Sequence, residues 1–134
     1  MIVVDAAVWV RALIDDGPSG IAARRVLTAD QEWVAPAHMP IEVLRTIRRY
    51  ETAHLLTSEQ ADLHAAQVLD AEVGYAQPQR WLLAAVWDRR HNISPYDAPY
   101  VALAQYHGIP LVTFDDRLAR AAGDSGIPVL VPGP

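Results

Sequence analysis

Short β-branched runs alternate along the chain with longer stretches in which apolar residues recur at helical spacing. Ile2-Val3-Val4 closes at Asp5, which predicts a buried parallel strand with an acid at its carboxyl end. Ala6 to Ile14 is apolar with helical character and stops at Asp15-Asp16-Gly17-Pro18. Ser19 to Ala29 reads as a second helix, and Trp33-Val34-Ala35 as a second strand closed by Pro36. Pro40 stands near the start of a helix that carries Ile41, Leu44 and Ile47 along one side. Ser58, Asp62 and the apolar positions Ala61, Ala65, Val68 and Leu69 give another amphipathic helix. Glu72 to Ala76 is ambiguous, a short strand being one reading. Trp81 to Trp87 is an unbroken apolar run that predicts a buried helix, followed by Asp88 and by Arg89-Arg90, whose charges suit a helix C-terminus.

The stretch Ser94 to Leu118 combines a helix start carrying Asp97, a Gly turn, a strand over Leu111 to Phe114, and then Asp115-Asp116. Pro99 limits this helix, because proline is harmless only in a first turn. The helix is expected to start at about Tyr96 or Asp97, or to be kinked if it starts at Ser94-Pro95. Gly108-Ile109-Pro110-Leu111-Val112 and Gly126-Ile127-Pro128-Val129-Leu130 echo each other as helix end, turn and strand. The alternation predicts a single α/β domain over 1–134, a three-layer α/β/α sandwich on a mainly parallel sheet.

Composition narrows the function classes. There is no cysteine, which excludes a disulfide framework and a thiolate metal site. The net charge is −5 and all eleven basic residues are Arg, so mechanisms that need a Lys are excluded. The N-terminus lacks a basic n-region and no run reaches membrane-span length, so a cytoplasmic domain without a membrane partner is expected.

Polarity then places the acids. In open parallel sheets, sites form at the carboxyl ends of the strands. Asp5 and Asp115 follow strands on that edge. A crossover helix runs antiparallel to the strand it feeds, so Asp97 begins from the same edge, as does Glu42 early in the helix after Trp33 to Ala35. Taken singly, Asp5, Asp97 and Asp115 each read better as helix N-caps, and Glu42 as a partner of Arg45. Taken together, converging carboxylates repel one another unless a cation relieves them, and hard oxygen donors suit Mg²⁺ or Mn²⁺.

The segments IVVDAAVWV, PIEVLRTIRRY, SPYDAPYVALA and LVTFDDRLARAA, with Asp5, Glu42, Asp97, Thr113 and Asp115, resemble the PIN-domain ribonucleases, specifically the VapC-like toxins of toxin–antitoxin pairs. Their order and spacing cover nearly the whole chain. The resemblance implies Mg²⁺- or Mn²⁺-dependent cleavage of RNA, a homodimer, and a cognate antitoxin whose C-terminal segment occupies the groove by the active site. It also implies that Asp5, Glu42, Asp97 and Asp115 are the catalytic and metal-holding acids and that Thr113 is a hydroxyl near the metal. Ala7 departs from the pattern, which often has Ser or Thr there.

Asp116 reads as a helix-start residue, with an outer metal contact as the other reading. Arg45, Arg48 and Arg49 form the densest basic group. Arg45, Arg49 and, more weakly, Arg11 are candidates for RNA or antitoxin contact, and a solvated helix face explains the group equally well. His38 reads as a surface or capping residue, and Trp9, Trp33, Trp81 and Trp87 as core or dimer interface. The rival from another class is a non-catalytic PIN-like module that binds RNA or protein. A receiver-type domain lacks its Lys here, a haloacid-dehalogenase-type phosphatase lacks its second Asp at Ala7, and there is no Gly-rich phosphate loop.

Overall fold

The computed structural model describes residues 1–133. Five strands form one sheet in the order β3-β2-β1-β4-β5, with β1 Ile2–Val4, β2 Trp33–Pro36, β3 Gly74–Ala76, β4 Leu111–Val112 and β5 Val129–Leu130. All four pairings are parallel, so the sheet is wholly rather than mainly parallel. Val3 is in register with Val34 on one side and with Leu111 on the other, which makes β1 the central strand. The helices are α1 Ala6–Ile14, α2 Pro18–Ala29, α3 Met39–Thr52, α4 Ser58–Asp70, α5 Arg80–Asp88, α6 Ala98–His107 and α7 Asp116–Asp124. One helical group links α1 to α2 and α3, and α3 to α4. The other links α6 to α5 and α7, completing the three-layer α/β/α sandwich. Among the described residues no helix is long and apolar enough to cross a membrane.

The ambiguous segment resolves as β3. It is held at the sheet edge by parallel pairing to β2, a ladder that runs through Pro36 and Ala76. Pro36 therefore closes the strand as its last paired residue. Beyond it, Ala37 N–H donates to the Ala76 carbonyl at 3.0 Å. β4 is shorter than the expected Leu111 to Phe114, although Thr113 N–H still donates to the Leu130 carbonyl at 3.1 Å.

The apolar run Trp81 to Trp87 is a helix but not a buried one. Of α5, only Leu82 is buried, and Trp87 is 65% exposed. The helix buried on every side for most of its length is α6, whose residues Ala98 to Ala104 are all out of solvent. It lies across β1, β2 and β4, while α5 packs on α6 from outside and so covers only one of its own sides. Trp9 is buried and meets Trp33 edge to face at 5.6 Å, as expected of core tryptophans, whereas Trp81 stacks on Tyr106 at 4.3 Å.

α6 begins at Ala98 with Asp97 as its N-cap, and Pro99 falls in the first turn, where its missing N–H breaks no helical bond. There is no need for a kink. Gly108 ends the helix with φ +65°, a left-handed conformation that directs the chain back into β4.

Candidate active site

The strand order reverses direction at β1: β2 and β3 extend to one side, β4 and β5 to the other. Crevices form at the carboxyl edge where such a reversal occurs. Asp5, Glu42, Asp97 and Asp115 all line a cavity of about 850 Å³ at that edge. The four segments predicted to converge are thus brought together. Arg11 and Arg45 line the same cavity, but Arg49 and Asp116 do not. Asp116 is the first, exposed residue of α7, which answers to the helix-start reading.

Each acid is seated differently. Asp5 follows β1 and its N–H donates to the Val112 carbonyl at 3.1 Å, continuing the ladder to β4. The residue is only 9% exposed, and the hydroxyl of the fully buried Thr113 donates to Asp5 Oδ2 at 2.7 Å. Thr113 Oγ1 in turn accepts from Asp115 N–H at 3.0 Å, so one hydroxyl links two of the acids. Burial pushes the Asp5 pKa up to about 6. The Thr113 bond opposes that rise, and the nearby charges of Glu42, Asp97 and Asp115 add to it.

Glu42 lies near the start of α3, where Pro40 occupies the first turn. It makes no salt bridge to Arg45. Instead the Tyr100 hydroxyl donates to Glu42 Oε1 at 2.9 Å, and His38 Nε2 stands 3.2 Å from the same oxygen. His38 is the N-cap residue of α3, and its Nε2 also meets the Tyr96 carbonyl at 2.9 Å, tying α3 to the turn before α6. Tyr100 is fully buried, and burial, followed by the charges of Glu42 and Asp5, holds its phenol protonated far above the ordinary range.

Asp115 caps α7, its Oδ1 accepting from Arg117 N–H at 2.9 Å and Leu118 N–H at 3.2 Å. Asp5 and Asp97 also occupy N-cap positions, yet neither side chain caps its helix. Among the described residues, Asp97 accepts no side-chain hydrogen bond. Asp5, Glu42 and Asp115 each have one oxygen engaged and the other unengaged.

Anchoring one oxygen and leaving the second free is how outer-shell partners orient ligating carboxylates. The donor set is all hard oxygen, which fits Mg²⁺ or Mn²⁺. As they stand, no group of three or more His, Asp or Glu among the described residues is drawn close enough to hold a metal ion. Like charges on one rim repel one another, and the fit lies in donor chemistry and anchoring rather than in a closed cage.

The profile of the family described as PIN domain matches residues 2–124. The chain belongs to the PIN-domain family. This PIN domain is 39% identical over 126 residues to "Ribonuclease VapC1" of Mycobacterium tuberculosis, covering 90% of each chain. Among solved structures it resembles the VapC20 toxin of the same species, which that structure's description calls a sarcin-ricin loop cleaving toxin. The TM-score is 0.71 at 20% identity, over 90% of this chain and 95% of the other. FitAcB from Neisseria gonorrhoeae matches with a TM-score of 0.67 at 17% identity over 98% of both chains. At those identities the two structures speak for the fold.

Two contributors to the PIN-domain site were not singled out as such from sequence, Tyr100 and His38. Both act through contacts between segments 58 residues apart. One signal was available: Tyr100 lies three residues after Asp97, on the same helical face, and a buried phenol requires a hydrogen-bond acceptor.

Proposed function

We propose that the protein is a metal-dependent endoribonuclease and the toxin of a toxin–antitoxin pair. The observation that carries the reading is the rim of four carboxylates, three of them anchored through one oxygen, in a PIN domain whose relatives include a protein named a ribonuclease. Asp5, Asp97 and Asp115 would hold Mg²⁺ or Mn²⁺, with Glu42 completing the set or orienting the attacking water. When bound, the ion supplies a polarised phosphoryl oxygen and a water of lowered pKa. The chain's own residues do the rest. Thr113 fixes the Asp5 carboxylate, and the Tyr100 hydroxyl fixes Glu42. The N–H groups of Arg117 and Leu118 fix Asp115. Asp97 remains free to turn toward the ion. Hydrolysis is in-line displacement at phosphorus by water.

The cavity extends from these acids along α1 to the end of α3 and the start of α4, past Leu13, Ile14, Leu55 and Leu56. A groove with an apolar stretch and an acidic end suits an extended segment of a cognate antitoxin that carries apolar and basic side chains. A homodimer acting in the cytoplasm completes the proposal.

The test is cleavage-site mapping on total cellular RNA with Mg²⁺, with Mn²⁺ and with EDTA, beside thermal unfolding with and without Mn²⁺. Discrete cuts that need the ion, with an ion-dependent rise in Tm, are expected. RNA binding with neither cuts nor a shift in Tm would instead identify a binding module.

A further inference from the structure

A second cavity, of about 520 Å³, lies on the seam between α6 and α7. Arg117, Arg120, Ala121 and Asp124 line it from α7, Val101 lines it from α6, and Arg89, Asn92 and Ile93 come from the end of α5 and the loop after it. The α7 residues are spaced three, four and seven apart from Arg117, so they form one stripe of that helix. Three arginines therefore face the cleft against a single carboxylate, in a chain whose net charge is −5.

The stripe starts at the catalytic rim. Arg117 donates its backbone N–H to Asp115 Oδ1, so its side chain leaves the chain two residues from a rim carboxylate. Arg120 follows one turn further from the rim. Both side chains are exposed, and among the described residues neither makes a salt bridge or a side-chain hydrogen bond. Neither is drawn into an ion pair, which leaves both guanidinium groups available to a ligand. Arg89 on the far wall is held in place, bonding to the Ala85 carbonyl at 3.1 Å and to the Gln105 side chain.

We infer that this cleft binds the phosphodiester backbone of single-stranded RNA flanking the bond to be cut. The inference rests on the endoribonuclease reading. A rim of four carboxylates repels a polyanion, so a strand threaded across it requires positive charge nearby to hold it. Arginine presents a planar fork matched to phosphate oxygens. The cleft offers no aromatic platform and no base-reading amide beyond Asn92, so its contribution is positioning of the strand rather than choice of sequence.

The test uses a fluorescein-labelled, random-sequence 20-nucleotide single-stranded RNA. Anisotropy titrations over a range of NaCl concentrations are made in an Asp97→Asn background, so that the probe is not cut. Arg117→Gln with Arg120→Gln is expected to weaken binding by about tenfold and to flatten the slope of log K against log [salt] by about 1.4, for two lost phosphate contacts. The corresponding lysine pair retains most of the affinity, because it retains the charge. Arg25→Gln with Arg80→Gln removes the same charge away from the cleft and changes binding far less. Circular dichroism establishes that each variant is folded.

If the glutamine pair binds as the parent does, or if the distant pair weakens binding equally, the cleft assignment is overturned while the nuclease reading stands on the cleavage assay. If the Asp97→Asn protein does not bind RNA and the unsubstituted protein does not cut it, the nuclease reading fails and the cleft assignment with it.

Discussion

α6 and α7 both begin at an aspartate on the same edge of the sheet, and the two side chains are employed differently. Asp115 closes the start of its helix through two backbone N–H groups. Asp97 closes nothing, because the start of α6 is organised by other groups. Asp97 N–H donates to the Ser94 hydroxyl at 3.1 Å, Ala98 N–H donates to the Ser94 carbonyl at 2.9 Å, and Pro99 carries no N–H to satisfy. An N-cap position thus does not identify a capping side chain, and a capping side chain is not thereby unfit to bind an ion. Asp97 is left without a capping bond, whereas Asp115 closes its helix from the same rim.

The sharpest way to break this contrast is Asp97→Asn. Cleavage is expected to fall by more than about a hundredfold, since loss of even an outer-shell partner costs tenfold or more. Tm is expected to stay at the parent value. A large fall in Tm, or normal metal-dependent activity in the folded variant, would end the assignment.

Asp5 is the third N-cap aspartate, and its side chain is buried instead of capping. A raised pKa means the folded state holds the proton more tightly than the unfolded chain. The resulting stabilisation is complete below the ordinary value of 3.8 and is lost as pH rises through about 6. In EDTA at pH 7, Asp5→Asn is therefore expected to be more stable than the parent, by at most about 3 kcal/mol, and to be inactive. The stability gap should close by pH 4, as read from denaturant midpoints at the two pH values. An equal gap at both would place its origin elsewhere.

Tyr100→Phe keeps the ring in its buried place and removes the hydroxyl that donates to the Glu42 carboxylate. Mn²⁺ affinity measured by calorimetry is expected to fall by about tenfold. In a Glu42→Gln background the same change should add little, because the two residues act as one unit. Additive losses would show that Tyr100 acts through packing.

The smallest effect separates the two helix starts directly. Asp115→Ala is expected to lower stability by about 1 kcal/mol through the lost cap, and Asp97→Ala by almost nothing. Urea unfolding of the pair measures this, and equal losses would erase the distinction between them.

Much of this site is legible in the sequence for one physical reason. A strand that ends in an acid, and a helix that begins with one, both face the same sheet edge whenever the sheet is parallel. Asp5, Glu42, Asp97 and Asp115 follow from that polarity, and Pro99 sets the start of α6. What the sequence withholds are contacts decided by which surface covers which. The run Trp81 to Trp87 looks more buried than Ala98 to Ala104, yet α6 takes the sheet face and α5 lies outside it. The Tyr100–Glu42 and His38–Tyr96 bonds depend on how α3 and α6 are brought side by side, which no local pattern encodes. Arg117 and Arg120 are easily passed over because they become a cleft only once α7 lies beside α6.

The hydrogen bond from Thr113 to Asp5 joins residues 108 positions apart and lies at the centre of the rim. Translation releases the chain from its N-terminus, so Asp5, Glu42 and Asp97 leave the ribosome before β4 is available to pair with β1. Until that late, non-local pairing forms, Asp5 has neither its buried seat nor its hydroxyl. Closure of the rim consequently waits for β4, and a chain that stops short of it carries three of the acids without the arrangement that unites them.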